Sequence, residues 1–182
     1  MCMTSIKHKA QRVAIFIDVQ NLYHSAKNLF KARVNFENVI KYALAGRQPV
    51  RILAYVVKSE GIETDRPAIG ENAFFEALQN FGIELRMKDL QVYAGGLKKA
   101  DWDVGLAVDA IRLAPSVDAE VLITCDGDFI PLIEYLQGRG TQVEVMAFGK
   151  SASGKLKDIA DEFIDLGERP RVFLFKTPER SS

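Results

Sequence analysis

The chain has 182 residues, enough for one domain with a substantial core, and its 48% hydrophobic and 26% charged content is ordinary for a soluble globular protein. Lys plus Arg equals Asp plus Glu, so the composition does not support a strongly basic nucleic-acid binder, while leaving room for a local basic patch. Two cysteines, no apolar N-terminal signal core and no apolar run near the roughly 18 residues of a span point away from secretion and the membrane, toward a reduced, cytoplasmic setting.

Short strand-like runs alternate with longer helix-like ones along the chain. "RVAIFID" opens the pattern: Val13–Asp18 reads as a buried strand, and Gln20–Phe30 as the helix after it. A helix over Phe36–Ala45, a strand over Val50–Val57 and a helix over Ile69–Phe81 follow. Next come a strand over Ile83–Val92 and a helix over Trp102–Ala114. Strands over Glu120–Thr124 and Gln142–Ala147 flank a helix over Phe129–Gln137, and a helix over Leu156–Phe163 precedes a short strand "FIDL" at Phe163–Leu166. Gly82 and the stretch Gly138 to Gly140 fall where helices end. This alternation predicts a three-layer α/β sandwich with a mostly parallel central sheet. Residues 12–168 are expected to form that domain, with 1–11 as an N-terminal extension and 169–182 as a tail. Val172–Phe175 in the tail is too apolar for free solvation and is expected to pack as an edge strand or form a homodimer contact.

The acids fall in a pattern. Open parallel sheets bind ligands at the carboxyl ends of their strands. Asp18 ends the first strand, and in "EVLITCDGDFIPL" Asp126 and Asp128 follow the fourth. Asp101 and Asp103 stand at the start of the helix that follows "YAGGLKKA", on the same edge. Asp101 and Asp128 also suit helix capping, where Asp is favoured. Asp109 lies roughly 9 Å further down its helix than Asp103, so a structural role is expected for it. Like charges gathered this closely call for a cation. Oxygen-only ligands suit Mg²⁺ or Mn²⁺, whereas zinc would have only His8, His24 and two scattered cysteines.

Other motifs fail on inspection. "GKS" at Gly149–Ser151 lacks the earlier P-loop glycine, because Glu144 stands there. Cys125 has no neighbouring His, and "DGD" lacks the second first-strand Asp of dehalogenase-type phosphatases, Gln20 occupying that place.

"IFIDVQNLY", "KKADWDVGLAVDAI", "VLITCDGDFIPLIEYLQGRGTQVEVMAFG" and "LKDIADEFIDL" together resemble the NYN domain, and within it the LabA-like branch of the DUF88 group in the PIN-like nuclease superfamily. The resemblance runs from about Arg12 to Leu166. It implies a PIN-like fold and a metal-dependent ribonuclease. It assigns the catalytic and metal-binding acids to Asp18, Asp103, Asp126 and Asp128, with Asn21 and Thr124 as accompanying polar residues on the substrate side. Cys125 stands where the family usually has Gly, and so does Asp101.

Local positive charge for a phosphate backbone comes from "RMKDLQVYAGGLKK", with Arg86, Lys88, Lys98 and Lys99. Its glycines suit a loop that closes on a strand, and Tyr93 suits base stacking. Lys98 and Lys99 are the expected substrate-binding lysines, with Lys150 and Lys155 as a second basic pair near the edge. Single-stranded RNA is the expected substrate, chiefly from the resemblance. Two other classes fit the same residues: an RNA- or nucleotide-binding regulatory module, and a Mg²⁺-dependent phosphohydrolase acting on a small substrate.

Overall fold

The computed structural model describes residues 6–58, 69–89, 91–92, 98–99 and 102–175. Its centre is a six-stranded sheet in which every neighbouring pair is parallel. In chain order the elements are β1 (Arg12–Asp18), α1 (Val19–Phe30), β2 (Arg33–Val34), α2 (Phe36–Leu44), β3 (Gln48–Lys58), α3 (Ile69–Asn80), β4 (Glu84–Asp89), β5 (Gln91–Val92) and β6 (Lys98–Lys99). After them come α4 (Asp103–Leu113), β7 (Ala119–Ile123), α5 (Ile130–Gly138), β8 (Gln142–Ala147), α6 (Gly154–Ile159), β9 (Glu162–Asp165), α7 (Pro170–Phe173) and β10 (Leu174–Phe175). The sheet order is β4-β3-β1-β7-β8-β9, so the chain winds outward from β1 in both directions.

Alternation along the strands sorts the core into two layers. Val13, Ile15 and Ile17 of β1 pack with Leu22 and Ala26 of α1, Val39 and Ile40 of α2, and Leu78 of α3. Ala14 and Phe16 belong to the opposite layer, with Leu106 of α4, Ile133 and Leu136 of α5, and Leu156 of α6. A central strand covered on both faces must be apolar on both, which accounts for the unbroken "VAIFI". Arg47, just before β3, and Glu144 of β8, both with fully buried side chains, form a two-pronged pair at 2.6 and 2.9 Å.

Three predicted elements end differently, each for a reason of pairing. Ile83–Val92 falls into two sheets: Glu84–Asp89 pairs parallel with β3, and Gln91–Val92 pairs antiparallel with Lys98–Lys99. The last helix stops at Ile159, where Ala160 turns to extended backbone, and Phe163 goes to β9 beside β8. The tail forms the short α7 and an edge strand, with Leu174–Phe175 antiparallel to Arg33–Val34. Gly82 and Gly140 do follow helices, each with the positive φ that a residue without Cβ adopts readily. Among the described residues no helix is long and apolar enough to cross a membrane.

Candidate metal centre

β1 and β7 lie side by side, and the chain leaves them in opposite directions, so their carboxyl ends flank a cleft at the switch point of the sheet. Asp18 is the last residue of β1 and also the N-cap of α1. Its Oδ1 accepts the Asn21 N–H at 3.1 Å, and its Oδ2 accepts the Thr124 hydroxyl at 3.4 Å. The same Thr124 oxygen accepts the Asp126 N–H at 3.2 Å, which ties the two acid-bearing strand ends together. Asn21 completes the frame: its Oδ1 accepts the Cys125 N–H at 2.9 Å.

Beyond Cys125 the chain enters a single 3-10 turn, Gly127–Phe129. Asp126, not Asp128, supplies its cap, accepting the Asp128 N–H at 2.9 Å. The capping role expected of Asp128 therefore falls to its neighbour, and Asp128 is exposed. Asp103 is the first residue of α4, where the helix dipole favours a carboxylate. Trp102 occupies the N-cap position and offers no side-chain cap; Asp101 lies outside the described residues. Trp102 instead fixes where α4 begins. Its indole N–H donates to the Val56 carbonyl at 2.9 Å, and its ring meets Tyr55 edge-on at 5.6 Å.

The result is a cluster of carboxylates. One oxygen each from Asp103, Asp126 and Asp128 lie within 4.8 Å of one another. Asp18 stands beside this group. Its pKa is pushed up to about 6, first by burial and further by the negative charges of Asp103 and Asp126, against the bonds from Asn21 and Thr124. A cation at the cluster would reverse both repulsions, and an all-oxygen donor set fits a hard divalent ion such as Mg²⁺ or Mn²⁺.

Asp109 is elsewhere, as its helical offset implied. It accepts the Tyr55 hydroxyl at 3.0 Å and pairs with Arg86 at 3.2 Å. Arg86 is thereby committed to a structural pair, and Lys88 lies 5.7 Å from the Trp102 ring centroid. The backbones of Lys98 and Lys99 form one strand of the β5–β6 ribbon, while Tyr93 and the loop glycines lie outside the described residues. Lys150 and Lys155 are exposed in and after the loop that follows β8. Sequence reasoning passed over Trp102 and Ser25, whose hydroxyl lies 3.7 Å from the Cys125 thiol. A lone Trp directly before a candidate ligand was the available signal for the first.

A parallel α/β sheet with an acidic cluster at its switch point defines a nuclease-like domain of the PIN-like kind. Residues 12–167 match the NYN domain, and the chain belongs to that family, in its LabA-like branch. It is 27% identical over 179 residues to the low amplitude and bright protein LabA of Synechococcus elongatus, an overlap of 93% of this chain and 90% of that protein. It is 38% identical over 74 residues to the uncharacterized protein MJ0482 of Methanocaldococcus jannaschii, which spans 40% of this chain and 31% of that one. The crystal structure of VPA0982, a protein of unknown function from Vibrio parahaemolyticus, superposes with a TM-score of 0.79 at 29% identity, covering 94% of this chain and all of that one.

Proposed function

We propose that the protein is a metal-dependent ribonuclease that hydrolyses phosphodiester bonds in single-stranded RNA. The observation that carries this reading is the convergence of Asp103, Asp126 and Asp128 to within 4.8 Å, with Asp18 alongside, at the carboxyl edge of the sheet. These four carboxylates would hold Mg²⁺ or Mn²⁺, which when bound neutralises developing charge on the phosphoryl oxygens and acidifies a water. The chain's own residues do the rest. Asn21 and Thr124 fix Asp18 and the Cys125–Asp126 backbone in one frame, so that the acids keep their spacing as charge changes. Asp18 is mostly ionised only above about pH 6 and is therefore ready at neutral pH both to donate to a cation and to accept a hydrogen bond from water.

The test is cleavage of a labelled single-stranded RNA in Mg²⁺, in Mn²⁺ and in chelator. Cleavage is expected with either ion and none with chelator, and Asp126→Asn and Asp103→Asn should each abolish it. Cleavage that survives chelation, or that both variants retain in full, would sink the assignment. Hydrolysis of a phosphate monoester in place of RNA would move the protein to the phosphohydrolase class.

A further inference from the structure

The helix that Asp18 opens carries an aromatic and basic strip on its solvent side. Tyr23 is 44% exposed, and the His24 ring meets it edge-on at 5.5 Å. The Lys27 ammonium lies 5.9 Å from the Tyr23 ring centroid, at the outer limit of a cation–π contact. Tyr23, Lys27 and Phe30 follow at i, i+4 and i+7, which puts them on one stripe of α1. Tyr23 lies roughly 7 Å along the helix axis from Asp18, and Phe30 roughly 18 Å.

The far end of this stripe meets a second feature. Leu29, Phe30, Phe148, Lys150, Asp165 and Glu168, with two glycines, line a cleft of ≈ 140 Å³. The Phe30 and Phe148 rings already meet at 5.3 Å and Phe148 is buried, so what the cleft offers a ligand is its rim, where Lys150 is exposed. Its Lys150 loop turns back to the acid cluster: a Cβ placed on Gly127, between Asp126 and Asp128, would sit 3.6 Å from the Ser153 hydroxyl. Strip and cleft are thus each joined to the acidic edge, one through Asp18 and the other through Gly127.

We propose that α1 and the rim of this cleft form the track for a single strand of RNA, with one base stacked on Tyr23, a phosphate on Lys27, and a further phosphate near the exposed Lys150. The inference rests on the nuclease reading for its choice of ligand. Its physical content is that a strand entering an acidic site needs cations and π-faces close by, and stacking platforms beside a cationic path are how unpaired strands are held without base readout. Arg86 cannot serve freely, being paired with Asp109. Tyr23 and Lys27 are both exposed on α1.

The experiment is equilibrium binding of a fluorescent oligouridylate in chelator, where no cleavage occurs, over a salt series. Tyr23→Ala should weaken binding by roughly 5- to 100-fold, the loss of one stacked base, while Tyr23→Phe keeps it. Lys27→Ala should reduce the log–log salt slope by about 0.7. A 4-thiouridine oligomer should cross-link to the peptide carrying Tyr23 and Phe30. Wild-type affinity in Tyr23→Ala and Lys27→Ala, or cross-links confined to residues 91–99, would overturn the track and return the contact to Lys98 and Lys99. Tighter binding of oligodeoxyuridylate would overturn the RNA assignment. Tyr23-dependent binding without any metal-dependent cleavage would leave the track standing and remove the hydrolase reading instead.

Discussion

Asn21 on α1 and Cys125 beyond β7 are joined by one hydrogen bond, the Asn21 Oδ1 accepting the Cys125 N–H at 2.9 Å. The bond spans the two strand ends that carry Asp18 and Asp126, and both residues are only partly exposed. Asn21→Ala leaves the Cys125 N–H without that acceptor, at a cost of about 0.5–1.5 kcal/mol for the lost bond. Metal affinity should fall as well, because the Asp126 backbone loses its lateral tie. Cys125→Gly keeps the N–H and should leave the metal titration nearly unchanged. Paired thermal melts and Mn²⁺ titrations of the two variants check this, and equal effects from both would show that the bond does not hold the site together.

Asp103 and Asp109 sit on one helix with different partners, and their variants should separate accordingly. Asp103→Asn removes a member of the carboxylate cluster and should abolish metal-induced stabilisation and cleavage while the apo protein melts no lower. Asp109→Asn weakens the contacts to Tyr55 and Arg86, and should cost about 1 kcal/mol of stability while keeping most of the metal response. Melting curves with and without Mn²⁺ decide between the roles. A dead Asp109→Asn beside an active Asp103→Asn would reverse the assignment.

Much of this arrangement was legible because it follows from periodicity. The run Val13–Ile17 could be placed as a central strand since it is apolar on both faces, and Asp18 at its end then had to lie on the carboxyl edge. Asp126 and Asp103 followed from the same rule. Features set by long-range pairing were not legible. Nothing local in Glu84–Val92 says that its first part pairs with β3 while Gln91–Val92 pairs with Lys98–Lys99 in a separate ribbon. Phe163 fits a helix by pattern and goes into β9 because β8 needs a neighbour, with the Asp161 carboxylate accepting the Val143 N–H at 2.7 Å. The capping duty of Asp126 depended on a 3-10 turn too short to carry any periodic signal.

Trp102 and Gly105 are in contact across the first turn of α4: a Cβ on Gly105 would lie 2.6 Å from the indole Cε3. The ring is held by its bond to the Val56 carbonyl and by Tyr55, so it cannot move aside without breaking one of them. Gly105→Ala, which would otherwise favour the helix by about 1 kcal/mol, should instead destabilise the protein by about 1–3 kcal/mol through overpacking. It should also shift the start of α4 and so weaken the metal affinity of a cluster that includes Asp103. Trp fluorescence and Mn²⁺ titration of the variant test both parts; a more stable variant with an unchanged indole spectrum would contradict them.

Glu120 lies within β7 between Ala14 and Val143, fully buried, and neither carboxylate oxygen has a hydrogen-bond partner among the described residues. Burial pushes its pKa up to about 8, whereas in the unfolded chain it ionises near roughly 4.3. Between those values the folded state holds a proton that the unfolded state has released. The contribution of Glu120 to stability is therefore complete below about pH 4.3, declines as the pH rises, and is lost at about pH 8. Asp18 adds a decline of the same sign that is at half strength at about pH 6 and is spent roughly one unit above it, so the pH range between there and about 8 reports chiefly on Glu120. Urea unfolding in chelator should show wild type losing roughly 1.4 kcal/mol per pH unit in the lower part of that range, falling to about half that slope at about pH 8. Glu120→Gln cannot titrate and should lose that part of the slope, and Glu120→Met should exceed wild-type stability by the largest margin near pH 8. A wild-type protein with no slope there, or variants that keep the same slope, would mean that the buried carboxyl is not the group releasing the proton.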